Sequence, residues 1–181
     1  KEIGKIRKLM MKKFKNNNYR WVHNSFGTNL RLTEVQSTVG REQLKKLDFF
    51  IKKRNFNSKK ILGCLKKFKS VNIQVVPKNV THAFYRCYIQ INNQYLKKGW
   101  SRNKIIENLI KKKVRCNEGS CSELYREKSF RNLRFQPKKR LKNASKLSGT
   151  SIAFQVDHSI DFKELQKMIL SIKETFLKAT K

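Results

Sequence analysis

The chain has 181 residues, and its 44 lysines and arginines against 12 aspartates and glutamates give a formal net charge of +32. No apolar run approaches the ~20 residues of a membrane-spanning helix, and no signal-peptide pattern is present, so we expect a cytoplasmic protein with no membrane partner. The four cysteines form no C-x-x-C pair and the three histidines do not stand at ligand spacing, which argues against a zinc site.

The positive charge raises nucleic acid or another polyanion as a partner. The lysines, however, are scattered through every segment, and the run Lys111 to Lys113 ends an apolar-periodic helix, where cations complement the helix dipole. The sequence therefore does not favour nucleic acid. A basic domain that binds nucleic acid or a polyanion without catalysis is kept as the alternative to the function described below.

The first thirty residues give one helix and one irregular stretch. Residues 1 to about 13 carry Ile3, Ile6, Leu9 and Met10 at helical spacing. Residues 15 to 28 show no such period. Because the chain starts inside this helix without an initiating methionine, we expect it to be a piece of a longer protein.

A long helix is predicted from Thr33 to Phe68. Thr33 and Gln36 have the spacing of a capping box, in which each side chain satisfies a backbone donor of the other residue. No proline interrupts the segment, so a continuous helix would extend about 54 Å and connect two bodies or line an interface. Its expected buried face repeats at spacings of three and four: Leu44, Leu47, Ile51, Arg54, Ser58, Ile61, Leu65 and Phe68.

Strands and helices alternate after Phe68. Period-two patterns predict strands over 71–76, 81–91 and 151–156, and a further short strand is expected near 114–116. Ser101 is expected to cap one helix, and Asp161 with Glu164 is expected to form a capping box for the last one. The stretch before Gln136 has no clear assignment. This order predicts an α/β layer domain with helices packed against one sheet.

Four segments carry motifs that together resemble one family. They are SFGTNLRLTEVQSTVGREQLKKL (25–47), THAFYRCYI (81–89), GSCSELYREKSF (119–130) and TSIAFQVDHSI (150–160). These are similar to the cofactor-site loop and following helix, the His-aromatic strand, the G-S-C segment and a strand end of the DegT/DnrJ/StrS pyridoxal-phosphate (PLP) sugar aminotransferases. In the last segment, Asp157, His158 and Ser159 stand where one branch of the family has His-Pro-Thr.

The resemblance implies the C-terminal portion of a fold-type I PLP-dependent transferase. Residues 1–32 would be the end of the large PLP-binding domain with the cofactor-site loop, 33–68 the long interdomain helix, and 69–181 the small C-terminal α/β domain. The family's Schiff-base lysine lies upstream of the segments matched here. We therefore expect this chain to contain no catalytic residue of its own and to be inactive alone.

The implied activity is transfer of an amino group, from glutamate in the family, to the keto group of a nucleotide-activated sugar. Such products serve the synthesis of amino sugars and surface polysaccharides. The cofactor would be pyridoxal 5'-phosphate, which supplies an electron sink when bound. The implied partners are the sugar substrate, the amino donor and a second copy of the chain, in a homodimer whose active site is shared between subunits. The sequence does not specify which sugar is used or which carbon is aminated.

The resemblance also implies roles for five residues. Asn29 is expected to bind the PLP phosphate of the neighbouring subunit, although an asparagine that satisfies only its own turn would fit the same pattern. The expected substrate-side residues are Arg31, Gly119, Ser120 and Tyr125. Two of these keep alternatives, because Arg31 could pair with Glu34 and Tyr125 could be a packing residue.

Overall fold

The computed structural model describes residues 32–130 and 136–181. The expectations for residues 1–31 therefore lie outside the described residues. The described elements are, in chain order, α1 (Glu34–Leu44), α2 (Leu47–Leu65), β1 (Val71–Ile73), β2 (Cys87–Ile91), α3 (Arg102–Lys111), β3 (Cys116–Asn117), α4 (Lys142–Thr150), β4 (Ser151–Phe154) and α5 (Phe162–Ala179), with short 3-10 turns at Asn93–Tyr95, Leu124–Arg126 and Lys128–Phe130.

The four described strands form one antiparallel sheet in the order β1-β2-β4-β3. The register sets Tyr88 of β2 opposite Ala153 of β4, and Cys116 of β3 opposite Phe154. Helices α2 and α3 both pack against α5. The α/β class expected from the alternation of strands and helices is thus confirmed.

The core lies between the sheet and these helices. Strand β2 alternates as predicted, with Cys87, Ile89 and Ile91 buried. Helix α5 contributes buried residues at spacings of three and four, namely Leu165, Met168, Ile172 and Phe176. Each fully buried aliphatic or aromatic side chain of this kind stabilises the fold by about 1.5 to 3 kcal/mol through removal of apolar surface from water.

The predicted continuous helix is interrupted at Lys45 and Lys46. The capping box at its start is confirmed, since Thr33 N–H donates to Gln36 Oε1 at 2.9 Å and Gln36 N–H donates to Thr33 Oγ1 at 3.3 Å. Helix α1 then ends at Leu44, and α2 begins at Leu47 without a side-chain cap. The prediction of one unbroken helix from Thr33 to Phe68 is therefore wrong.

Packing explains which half of the expected buried face is realised. Helix α2 buries Ser58, Ile61 and Leu65 against the domain, whereas α1 buries none of its residues. Among the described residues, the predicted face is therefore buried in the second half and not in the first. Neither lysine at the break is a helix breaker, and nothing in the sequence there explains the interruption.

All four described strands and the second capping box differ from the sequence-based expectation. Strand β3 covers Cys116–Asn117 instead of 114–116, and β4 ends at Phe154 instead of residue 156. Strands β1 and β2 are shorter than the predicted 71–76 and 81–91, and Phe84, inside the second predicted strand, has a φ of +45° that no strand residue adopts. The second capping box is half formed. Asp161 accepts from Glu164 N–H at 2.7 Å, but the Glu164 carboxylate lies 2.9 Å from Arg115 Nη2 instead of turning back to the cap.

Candidate functional site

The loop of residues 117–123, which we call the 117–123 loop, leaves the end of β3 and contains the predicted site residues Gly119 and Ser120. Gly119 has a φ of +86°, a conformation that favours glycine. Its N–H donates to Asn117 Oδ1 at 2.8 Å. The family's G-S-C motif thus begins at a sharp backbone turn.

Tyr88 of β2 packs directly onto this turn. Its hydroxyl accepts from Ser120 N–H at 3.2 Å and lies 3.2 Å from Ser120 Oγ. A Cβ atom on Gly119 would come within 2.5 Å of Tyr88 Cε1. The sequence analysis did not single out Tyr88. The period-two pattern of β2 does show that Tyr88 faces away from the core, because its neighbours Cys87 and Ile89 are buried.

A buried ion pair anchors the N-terminal side of the 117–123 loop. Arg102 Nη1 lies 2.9 Å from Glu118 Oε2, and the two side chains are only 7% and 9% exposed. Arg102 Nη2 also donates to the Ser148 carbonyl at 2.9 Å. The pair therefore connects the start of α3, the loop and the end of α4.

A second carboxylate anchors the other side of the loop. Glu123 has a fully buried side chain, and its oxygens accept from Arg140 Nε and Nη2 at 2.6 Å each and from the Tyr125 hydroxyl at 2.8 Å. The hydrogen bonds from Arg140 lower the pKa of Glu123 from 4.5 to about 2, although burial opposes the shift. Bidentate arginine contacts of this kind fix geometry as well as charge.

The stability of the domain should depend on pH through Glu123. Its folded-state pKa lies below its ordinary value of 4.5, so its ionised form stabilises the fold above that value, and this contribution is lost as the pH falls towards about 2. In urea unfolding series, the difference between the wild type and Glu123→Gln should be constant above pH 5 and shrink steadily below it. A difference that stays unchanged down to pH 2.5 would contradict this assignment.

Tyr125 lies behind the loop, within the Glu123 cluster. Its hydroxyl donates to Glu123 and accepts from Leu141 N–H at 3.1 Å, and its backbone carbonyl accepts from Gln136 Nε2 at 3.1 Å. The hydroxyl is thus already engaged on both sides, which favours the packing alternative for Tyr125. Asn29 and Arg31, the other predicted site residues, lie outside the described residues.

The turn where the sequence departs from the family motif packs against α2. The His158 ring stacks on Phe50 with 3.9 Å between the ring centroids, and Asn57 Nδ2 donates to the Asp157 carbonyl at 3.0 Å. Asp157 Oδ1 accepts from Ser159 N–H at 3.0 Å. These contacts give the three departing residues a local structural role at the α2 surface.

The lysines of the described residues are exposed or only partly buried. A lysine that reacts with a carbonyl group is commonly activated by desolvation in an apolar pocket. In the described part of the chain, Lys53 and Lys112 are half-buried and every other lysine is exposed.

The described residues hold no cluster of three His, Cys, Asp or Glu side chains able to bind a metal ion. No described helix is both long and apolar enough to cross a bilayer.

The family model of the DegT/DnrJ/EryC1/StrS aminotransferases matches residues 1–173 of the chain. A comparison with curated proteins gives no significant match. Among solved structures, an aminotransferase from Psychrobacter cryohalolentis is 35% identical with a TM-score of 0.77, and the aligned part covers 88% of this chain and 42% of that one.

Two more distant structures share the fold. Helicobacter pylori PseC, an aminotransferase involved in the biosynthesis of pseudoaminic acid, is 20% identical with a TM-score of 0.68 and is matched over 92% of this chain and 45% of its own. A GDP-4-keto-6-deoxymannose-3-dehydratase with a trapped PLP-glutamate geminal diamine is 22% identical with a TM-score of 0.62, over 82% and 37% of the two chains. This chain thus spans less than half the length of each of these three solved structures. It belongs to the DegT/DnrJ/EryC1/StrS family of PLP-dependent aminotransferases.

Proposed function

We propose that the chain is the C-terminal part of an enzyme that transfers an amino group from glutamate to the keto group of a nucleotide-activated sugar. Its product would enter amino-sugar or surface polysaccharide synthesis. In this proposal, the PLP-binding lysine belongs to the part of the protein upstream of residue 1. The chain itself contributes the substrate-facing side of the active site.

The main support for the proposal is that ion pairs anchor both ends of the 117–123 loop. Two carboxylates within it, Glu118 and Glu123, are buried and paired with Arg102 and Arg140. Burying a charge is expensive unless it is paired and hydrogen-bonded. Two such pairs around one short loop fix the position of Gly119 and Ser120, as is required of groups that position a substrate.

The same proposal assigns the parts of the chain. Residues 1–32 would complete the large domain, 33–68 would join the two domains, and 69–181 would form the small domain. The exposed apolar side chains of α1 are consistent with a segment covered by another part of the enzyme, since Val35 and Leu44 are 75% and 66% exposed. A homodimer would bring Asn29 to the cofactor of the partner subunit.

The test of the function uses the full-length protein with PLP, glutamate and a panel of nucleoside-diphosphate 4-keto-6-deoxyhexoses carried by UDP, dTDP and GDP. We expect formation of 2-oxoglutarate that is matched by an equal amount of one amino sugar, both measured by mass spectrometry. Glutamate turnover in which none of these sugars is aminated would support the aminotransferase activity and contradict the proposed acceptor. The absence of both products would overturn the proposal.

Asn29→Ala in the full-length enzyme should weaken retention of PLP by roughly ten- to a hundredfold. One hydrogen bond to a charged phosphate contributes about 1.5 to 3 kcal/mol, which corresponds to that range. Retention is measured as the dissociation constant for PLP in the absence of amino donor. The stability of α1 should be unchanged, because the cap of that helix belongs to Thr33 and Gln36.

A heterodimer shows whether Asn29 acts across the interface. One subunit carries Asn29→Ala, and the other lacks the upstream Schiff-base lysine. The remaining lysine then lies in the Asn29→Ala subunit and meets the intact Asn29 of its partner, so that this site should retain PLP with wild-type affinity. Loss of PLP equal to that of the Asn29→Ala homodimer would show that Asn29 is a local turn residue.

A further inference from the structure

We propose that the hydroxyl groups of Tyr88 and Ser120 together bind one hydroxyl group of the sugar substrate, and that Tyr88 is therefore a specificity-determining residue. This inference rests on the proposed function, because that function places the 117–123 loop at the substrate. No sequence motif points to Tyr88. Its assignment comes from its contacts with Gly119 and Ser120.

The hydroxyl groups of Tyr88 and Ser120 keep part of their hydrogen-bonding capacity for a ligand. The two hydroxyls together have two hydrogens and four acceptor lone pairs. The bond between the two hydroxyls, at 3.2 Å, uses one hydrogen and one of the four lone pairs. The Ser120 N–H donates to the Tyr88 oxygen and uses another lone pair. One O–H donor and two lone pairs remain, and no other described residue is a hydrogen-bond partner of either hydroxyl.

Both side chains are accessible from solvent. Ser120 is exposed and Tyr88 is 37% exposed, so the remaining donor and lone pairs can reach a ligand. A sugar hydroxyl is itself both a donor and an acceptor, and it matches one free O–H beside one free lone pair. A phosphate or carboxylate, which only accepts, would leave that lone pair unused.

Contacts with the loop hold both side chains in place. An ordinary surface hydroxyl rotates freely, and ordering it on binding costs conformational entropy. Here the Tyr88 ring packs so closely on Gly119 that a Cβ atom at that position would not fit. Ser120 is held by the hydrogen bond from its N–H to the Tyr88 hydroxyl. The paired carboxylates Glu118 and Glu123 hold both ends of the same loop. The pair is therefore organised before the substrate arrives.

The experiment measures the two half-reactions of the full-length enzyme separately, with Tyr88→Phe, Ser120→Ala and the double variant. The probes are glutamate and whichever nucleoside-diphosphate 4-keto-6-deoxyhexose of the panel the wild type aminates. Tyr88→Phe keeps the ring on Gly119 and removes only the hydroxyl. We expect it to lower kcat/KM for the sugar by roughly three- to tenfold, the worth of one neutral hydrogen bond, and to leave the glutamate half-reaction unchanged.

The double variant tests whether the hydroxyls act as a unit. Because they share one free donor, the double variant should lose little more than the more impaired single variant. Losses that multiply would mean two independent contacts and would overturn the shared site. Tyr95→Phe is the matched control, since Tyr95 is likewise partly exposed, at 40%, and lies in the 3-10 turn after β2, where its backbone bonds to Asn92 and Lys181.

The outcomes separate the inference from the function on which it rests. Wild-type turnover of the sugar together with an unchanged sugar kcat/KM in Tyr88→Phe overturns the inference alone. An equal fall in both half-reactions also overturns it, because a general loosening of the fold would then explain the loss. A wild-type enzyme that consumes neither glutamate nor any sugar of the panel overturns the proposed function, and this inference falls with it.

Discussion

Arg102→Ala is expected to lower the free energy of unfolding by about 3 to 5 kcal/mol, the usual cost of removing one partner from a buried ion pair. The variant leaves the Glu118 carboxylate, 9% exposed, without its guanidinium partner. It also removes the hydrogen bonds to the carbonyls of Ser148 and Gly149, which join α3 to the end of α4. Urea unfolding of the 181-residue chain, followed by circular dichroism, measures the change.

Two comparisons make the result specific to the buried pair. The Glu42–Lys45 pair has side chains 58% and 71% exposed, so Glu42→Gln should change the free energy of unfolding by less than about 1 kcal/mol. Replacing both buried charges, as Arg102→Met with Glu118→Leu, should recover much of the stability lost in Arg102→Ala, because no unpaired charge remains. A cost below about 1 kcal/mol for Arg102→Ala would show that water reaches Glu118.

Features set by near neighbours in the sequence were predictable. The caps formed by Thr33, Ser101 and Asp161 all occur where the sequence places them. Each depends on a hydrogen bond between residues three apart, which the sequence displays directly. The alternation in β2 was visible for the same reason, since one buried face imposes a period of two. Strand β4 does not follow the predicted alternation, because Ile152, Ala153 and Phe154 are all buried.

Features that depend on distant parts of the chain were not predictable. Glu118 and Arg102 are 16 positions apart, and Glu123 and Arg140 are 17 apart. Only the folded domain brings each pair together, and an isolated glutamate in the sequence is ordinarily a solvated one. Helix α4 was missed because its first turn lacks a side-chain cap and only Ser148 of its residues is buried.

The candidate site likewise combines residues that the sequence indicated with contacts that only the fold creates. The family resemblance singled out Gly119 and Ser120, but it did not show what holds them or that Tyr88 lies on them. Tyr88 and Ser120 are 32 positions apart, and only the folded sheet brings β2 next to the 117–123 loop. Asn29 and Arg31 stay predictions, since they lie outside the described residues.

Gly119→Ala is expected to destabilise the domain by about 2 to 5 kcal/mol. About 1 to 2 kcal/mol of this comes from placing an alanine at a positive φ, here +86°. The rest comes from displacing the Tyr88 ring, since the new Cβ would lie 2.5 Å from its Cε1 and overpacking of this kind costs about 1 to 3 kcal/mol. Urea unfolding measures the sum. Under the proposed function, the same variant of the full-length enzyme should also reduce kcat/KM for the proposed sugar substrate, because the displaced ring can no longer hold Ser120.

Gly99 separates the two contributions, because it has a similar φ of +79° but open space where its Cβ would stand. Gly99→Ala should therefore cost only the backbone term of about 1 to 2 kcal/mol. The variant Tyr88→Leu removes the ring. In that background, adding Gly119→Ala should lower the free energy of unfolding by no more than Gly99→Ala does in the wild type. If Gly119→Ala still costs more in that background, the close approach of Tyr88 is not the cause, and the loop must be positioned by the Glu118 and Glu123 ion pairs alone.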